Sequence, residues 1–173
     1  LECGVEHPMY YAHRAEANCG QSKFNLAIED CDQAIALDPS NALAFGVRGF
    51  ANQQLDHYSE AISDCTKAID LGLQLPVVYV GRAAAYQVED EILLAIADCD
   101  AALAIDPEHA PAFNLRGMLL VSQGDFEAAK DDLAAAIRLA PDWSVPHVQR
   151  AHAFRMESDL ESALEAYTRT IEL

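Results

Sequence analysis

The residues best suited to chemistry in this sequence are charged, and they recur at a fixed spacing. Five arginines stand 34 residues apart without a gap: Arg14, Arg48, Arg82, Arg116 and Arg150. Four aspartates follow at the same step, each sixteen residues after an arginine: Asp30, Asp64, Asp98 and Asp132. Guanidinium groups bind external anions, but they also pair with carboxylates inside a fold. We interpret the two series as internal Arg–Asp bridges, with Arg150 lacking a partner because Ala166 occupies the fifth aspartate position.

Histidines are the second candidates, as metal ligands. His147 and His152 are five residues apart, about 140° around a helix, so their side chains do not share a face. The remaining four lie beside no Cys or acidic pair at ligand spacing: His7, His13, His57 and His109. The sequence also contains no GxGxxG, GxxxxGK[ST], GxSxG or HExxH motif. We therefore predict no metal, no cofactor and no catalytic residue, and we interpret the protein as a non-enzyme.

Composition and charge exclude several partners. The net charge is -17, from 28 acidic and 11 basic residues, and it repels nucleic acid phosphates and anionic lipid headgroups. No apolar run reaches the length of a membrane span. Hydrophobic residues make up 51% of the chain, with only 8 Gly and 7 Pro, which favours a packed helical protein over disorder. We expect a protein that binds neither nucleic acid nor membrane.

Three of the five cysteines, Cys31, Cys65 and Cys99, also stand 34 residues apart. Thiols on successive structural units are too distant for a disulfide, which needs Cα atoms within roughly 7 Å. They are typical of small buried apolar residues in a reducing compartment, so we expect a cytoplasmic protein. The chain begins at Leu1 without an initiator Met or a leader, and it ends inside a predicted helix. This end is typical either of a piece of a longer protein or of a terminus covered by a partner, and both interpretations stay open.

The 34-residue period also places the elements that must position these residues. In the first period, apolar residues recur at helical spacing: Ala27, Ile28, Cys31, Ala34 and Ile35. Each period accommodates two helices. Turn-forming or helix-capping residues mark the break between them: Asp56, Asp90, Gly124, Asp125 and Asp159. Pro39, Pro107 and Pro141 end the second helix, and Gly72 is predicted as a left-handed cap where the proline is missing.

These residues resemble the tetratricopeptide repeat family, in which a large residue, two small residues and a proline recur. The first and fourth periods match this pattern at Tyr11, Ala15, Ala27 and Pro39, and at Phe113, Gly117, Ala129 and Pro141. The resemblance implies an all-α, right-handed superhelical solenoid of five helix-turn-helix hairpins. The predicted divisions are a stub at 1–7 and repeats at 8–41, 42–75, 76–109, 110–143 and 144–173, the last incomplete. Asn18, Asn52 and His147 depart from the pattern, since each stands where the family has an aromatic residue.

The same resemblance implies a concave groove lined by the first helix of each repeat. Its residues here are mostly apolar, and the basic clamp with which a subgroup of the family holds acidic C-terminal tails is missing. We predict a scaffold or adaptor that binds a protein or peptide, apolar with basic flanks, in this groove. The predicted partner-binding residues are Leu43, Phe50, Gln53, Val77, Val80, Gln87, Asn114, Met118, Val121, Val148, His152 and Arg155.

Three alternatives stay open. Val77, Val80, Val145 and Val148 could instead contact one another or a second copy of the chain, which would make the groove a self-association surface. The array could be the regulatory or substrate-presenting part of a larger enzyme. It could also be a self-assembling structural protein, since one repeat type serves many roles.

Overall fold

The computed structural model describes residues 7–171, and within them the chain forms ten α-helices and no strand. The helices are α1 (Pro8–Gly20), α2 (Phe24–Leu37), α3 (Ala42–Gln54), α4 (Tyr58–Asp70), α5 (Pro76–Val88), α6 (Ile92–Ile105), α7 (Ala110–Gln123), α8 (Phe126–Leu139), α9 (Ser144–Met156) and α10 (Leu160–Ile171). Two helices per 34-residue period are therefore confirmed. The repeat boundaries stay a prediction. Residues 1–6, which belong to the predicted stub, and residues 172–173, at the other end of the chain, lie outside the described residues.

The helices fall into two compact units, residues 1–90 and 91–173. In the first, called the N-terminal unit, α1 packs on α2 and α3 on α4, while α2 contacts α3 and α4 contacts α5. In the second, the C-terminal unit, α7 packs on α8 and α9 on α10, while α6 contacts α7 and α8 contacts α9. Within each unit, every helix thus buries its apolar face against neighbours along the chain.

Alanines and glycines form the contact between the paired helices. Four of the five alanines in the predicted series, Ala27, Ala61, Ala95 and Ala129, are 0% exposed, and Ala163 is 3% exposed. At Gly117 of α7, an added Cβ would lie 2.7 Å from the Leu133 side chain of α8. The side chain of one helix therefore rests directly on the backbone of the other. This close approach explains why the sequence holds only Ala or Gly at these positions.

The turn inside each hairpin depends on one residue with positive φ, and these residues stand 34 apart in the chain. They are Ser22 (φ 57), Asp56 (φ 62), Asp90 (φ 62), Gly124 (φ 83) and Ser158 (φ 71). Asp125 and Asp159 are helix caps as predicted, since their carboxylates accept from the backbone N–H of Ala128 and Ser162. Asp56 and Asp90 take the left-handed turn position instead. Gly72 has φ 90, which confirms the predicted left-handed cap after α4.

The periodic cysteines belong to the same core. Cys31 and Cys99 are 0% exposed, and Cys65 is 1% exposed. Burial raises the pKa of the Cys99 thiol to about 12 and also raises the pKa of Cys31, because a thiolate would be poorly solvated there. The thiols therefore act as small apolar groups, as the sequence predicted.

Substituting Gly117 by Ala tests the close approach of α7 and α8. We expect the free energy of unfolding to fall by about 1–3 kcal/mol, because the new methyl group overlaps Leu133. The matched control is Gly81→Ala in α5, where, apart from its chain neighbours and the backbone of its own helix, no described residue comes within 4 Å of the added Cβ. Helix propensity should make that variant more stable by about 0.5–1 kcal/mol. Urea unfolding measures both; equal effects would contradict the packing account.

Substituting Ser22 by Gly tests the left-handed turn. A side chain in this conformation costs about 1–2 kcal/mol, so glycine should stabilise the protein by about 0.5–1 kcal/mol after its larger loss of backbone entropy. The same substitution at exposed Ser63, inside α4, should instead destabilise by about 0.5 kcal/mol. Thermal unfolding of both variants measures the difference. Stability changes of the same sign in the two variants would contradict the left-handed conformation of Ser22.

Candidate functional site

The predicted Arg–Asp bridges join the two helices of a hairpin. In each of three pairs, Nε and Nη2 of the arginine donate to the two carboxylate oxygens of the aspartate. The pairs and distances are Arg14–Asp30 (2.9 and 2.5 Å), Arg48–Asp64 (2.8 and 2.7 Å) and Arg116–Asp132 (2.7 and 2.7 Å). The internal-bridge interpretation is confirmed for these pairs. Their guanidinium groups are occupied by the chain's own carboxylates.

A second acidic contact extends two of the bridges to the preceding hairpin. Nη1 of Arg48 donates to Asp32 of α2, and Nη1 of Arg116 donates to Asp100 of α6, both at 2.5 Å. Hydrogen bonds to the carboxylates raise the pKa of Arg48 and Arg116 above the ordinary arginine value. Sequence reasoning missed these contacts, although both aspartates stand sixteen residues before their arginine. Arg82 reaches Thr66 at the same offset, through a 2.9 Å hydrogen bond.

The aromatic series and the two asparagines complete the environment of the bridges. The arginine guanidinium lies over the aromatic ring three residues earlier, 5.4 Å from the centroid for Tyr11 and Phe45 and 5.7 Å for Phe113. Asn18 donates to Asp30 Oδ2 at 3.0 Å, and Asn52 donates to Asp64 Oδ2 at 3.2 Å. The departures at Asn18 and Asn52 therefore supply a further donor to the bridging carboxylate.

An apolar cavity of about 230 Å³ opens on the N-terminal unit. It brings together three of the predicted partner-binding residues, Leu43, Phe50 and Val77. The other lining residues are Glu16, Cys19, Gly46, Val47, Leu73, Leu75 and Val78. Sequence reasoning missed Leu73 and Leu75, which precede α5 in the loop. The interruption of the proline series could have pointed to this loop, because Leu73 occupies the place of the missing proline.

The other predicted residues are spread over both units. Gln53, Val80 and Gln87 are half-buried in the N-terminal unit and do not line its cavity. In the C-terminal unit, Met118, Val121 and His152 are half-buried, and Val148 and Arg155 are exposed. A role for these eight residues in binding stays a prediction.

Asn114, the twelfth predicted residue, is buried at 7% exposure. Its amide donates to Met118 Sδ at 3.6 Å, and its Oδ1 has no hydrogen-bond partner among the described residues. Its side chain therefore offers a partner little surface. Binding through Asn114 would require this side chain to rotate outwards, and that role too stays a prediction.

A second cavity, of about 290 Å³, surrounds Arg150 in the C-terminal unit. The Arg150 guanidinium lies 5.3 Å from the centroid of the Phe154 ring. Its Nε is buried and has no hydrogen-bond partner among the described residues. Where the other hairpins have an aspartate opposite the arginine, this hairpin has a cavity. We call this space the Arg150 cavity.

Residues 7–171 lack two further features. No three His, Cys, Asp or Glu side chains there come close enough together to hold a metal ion. None of the ten helices has the length and apolar character needed to cross a membrane. The described residues thus define an all-helical repeat protein of paired helices, with an apolar cavity and an arginine-lined cavity.

Comparison with known proteins identifies the repeat. The family model for the tetratricopeptide repeat matches residues 82–161. Tetratricopeptide repeat protein 36 from Mus musculus is 35% identical over 66 residues, which are 38% of this chain and 36% of the mouse protein. The match thus spans about a third of that relative's length. Residues 82–161 thus match a tetratricopeptide repeat model, which confirms the family resemblance predicted from the sequence.

Solved structures share the fold over nearly the whole chain. MamA from Desulfovibrio magneticus RS-1 has a TM-score of 0.84 at 18% identity, covering 99% of this chain and 97% of that one. YrrB, described as a TPR protein with an unusual peptide-binding site, has a TM-score of 0.76 at 21% identity, covering 94% of this chain and 84% of that one. Identities this low show a common fold. The predicted class, an all-helical array of tetratricopeptide-type hairpins, is confirmed.

Substituting Arg48 by Met tests the contribution of the bridges to stability. The change leaves the mostly buried Asp64 carboxylate without its cation, so we expect a loss of about 2–3 kcal/mol, below the 3–5 kcal/mol typical of fully buried pairs. The control is Arg150→Met, which removes an arginine that bridges no carboxylate in the described residues and should change stability by less than about 0.5 kcal/mol. Urea unfolding measures both; equal losses would contradict this role.

Proposed function

We propose that this protein is a non-catalytic scaffold that binds a peptide or helix of a partner protein. Tetratricopeptide folds typically mediate protein–protein interaction. The observation that carries the proposal is the apolar cavity of the N-terminal unit, whose wall includes the exposed side chains of Leu75 (41%) and Val77 (49%). An accessible apolar cavity of this kind suits an anchoring side chain of a partner.

The chemistry of the cavity defines the partner. Aliphatic and aromatic side chains form most of its wall, so the anchor is a large apolar residue such as Leu or Phe. Among the residues that the structure describes, Glu16 is the one charged residue lining it. Since the whole chain carries a net charge of -17, basic residues flanking the anchor would be attracted and acidic ones repelled.

The proposal extends to the C-terminal unit. There we propose that Val148, 40% exposed, and Arg155 belong to the partner-binding surface, together with Met118, Val121 and His152.

We also propose a reducing compartment such as the cytoplasm. Buried cysteines with raised pKa values support this location, because they serve as apolar core groups.

Self-association is the second candidate function. The observation that favours it is the exposure of Val77 (49%), Val145 (41%) and Val148 (40%), since exposed apolar groups are common at contacts between copies of a chain. Light scattering over a concentration series separates the two candidates. A molar mass that rises with concentration supports self-association, and a constant monomer mass supports a foreign partner.

Isothermal titration with a basic amphipathic helical peptide tests peptide binding. We expect Val77→Asp to raise the Kd about tenfold or more, because it places a carboxylate in the apolar cavity. Val77 is exposed, so the variant should fold normally; Phe50 is a poorer choice because it packs on Phe24, 6.3 Å between ring centroids. Leu93→Asp, at a 73% exposed site of α6 outside the cavity, controls for added charge. Equal affinity of the Val77 variant and wild type would remove the cavity from the proposal.

A further inference from the structure

The arginine series breaks at its last member in a way that leaves a defined space. Arg48 and Arg116 each contact one carboxylate sixteen residues later and another sixteen residues earlier. The corresponding positions for Arg150 are Ala166 and Ala134. Both carboxylates are therefore reduced to methyl groups at the same hairpin. The arginine that contacts two aspartates at Arg48 and Arg116 therefore has neither aspartate at Arg150.

The Arg150 cavity lies beside Ala166, the position of the missing carboxylate of the second helix. Ala166 lines it, and so do Arg150 and a second cation, Arg169 of α10. The Ser162 hydroxyl adds a further hydrogen-bonding group to the wall. The Phe154 ring holds the Arg150 guanidinium, as aromatic rings hold the bridged arginines. The arginine thus keeps its position in the hairpin while its buried Nε donates to no described residue.

Among residues 7–171, one carboxylate lines this cavity, that of Glu165. No ion pair joins it to Arg150 or Arg169 within the described part of the chain, although both arginines line the same space. His147 is engaged elsewhere, with Nε2 3.0 Å from the Pro141 carbonyl oxygen, to which it donates. Within residues 7–171, therefore, no carboxylate forms an ion pair with either guanidinium group, and both face a space that an outside anion can enter.

We propose that the Arg150 cavity binds a carboxylate group, which takes the position that Asp64 and Asp132 hold in other hairpins. A planar carboxylate matches the Nε and Nη2 pair of an arginine, as the three observed bridges show. Either an acidic side chain of a partner protein or a small organic acid supplies this chemistry. The net negative charge of the protein is screened over about 8 Å at physiological ionic strength, so the local arginines decide the contact.

The ¹H–¹⁵N signal of the Arg150 Nε–H is the direct probe, in titrations with succinate and with a capped tripeptide, acetyl-Gly-Asp-Gly-amide. We expect a saturable shift toward the resonances of the bridged arginines, and no shift with succinamide, which has the same shape without charge. A response to the peptide alone identifies a protein side chain as the ligand, and a response to succinate alone identifies a small acid. Both support a carboxylate site. An equal response to inorganic phosphate would overturn carboxylate selectivity.

Ala166→Asp provides the decisive variant. It rebuilds the internal bridge, so we expect complete loss of succinate and peptide binding together with a melting temperature raised by a few degrees, which excludes unfolding as the cause. Ala17→Asp, the same change at an exposed site of α1, should leave binding intact. Unchanged binding in the Ala166 variant overturns the proposal. Binding seen only after Glu165→Gln also overturns it, because the chain's own carboxylate would then fill the cavity.

Discussion

Close approach of paired helices is the constraint on which this structure depends. At Gly117 the Leu133 side chain rests on bare backbone, and at Gly49 the Cys65 sulfur does the same, 2.7 Å from where a Cβ would lie. Side chains at these positions must stay small, so core volume comes from the larger residues packed around them. The buried alanines and cysteines follow from the same geometry. Because the contact recurs every 34 residues, one steric requirement is imposed on hairpin after hairpin.

The arginine bridges operate within that geometry. Helices held this closely place an arginine of the first helix within reach of carboxylates on two others, as Arg48 shows with Asp64 and Asp32. An aromatic ring fixes the guanidinium, and an asparagine or a second aspartate shares the remaining hydrogen bonds. The charges are therefore part of the packing, and their loss at Arg150 leaves a cavity. Where the internal ligand is missing, the fold has room for an external one.

Sequence reasoning predicted the features that recur with the 34-residue period. The paired helices, the buried alanines and the Arg–Asp pairs all follow from identical residues at identical steps. It did not separate the different roles that one residue type can take. Asp56 and Asp125 were both predicted as turn or cap residues; in the structure Asp56 takes a left-handed turn conformation and Asp125 caps a helix. The burial of Asn114 was equally hidden, because helical position alone does not tell whether a neighbour such as Met118 covers a side chain.

The uneven distribution of bridges along the C-terminal unit has a consequence for its dynamics. Arg116 ties α7 to α8 through Asp132, whose side chain is 10% exposed, whereas α9 is joined ionically to α8 through Lys130 and Glu157, whose carboxylate is 35% exposed. Ion pairs open to solvent contribute little to stability. We therefore expect sub-global opening of α9 and α10 to cost less free energy than opening of α7 and α8, so that amide hydrogens of the last hairpin exchange first. Fluctuations of this unit would then concentrate at the hairpin that holds the Arg150 cavity.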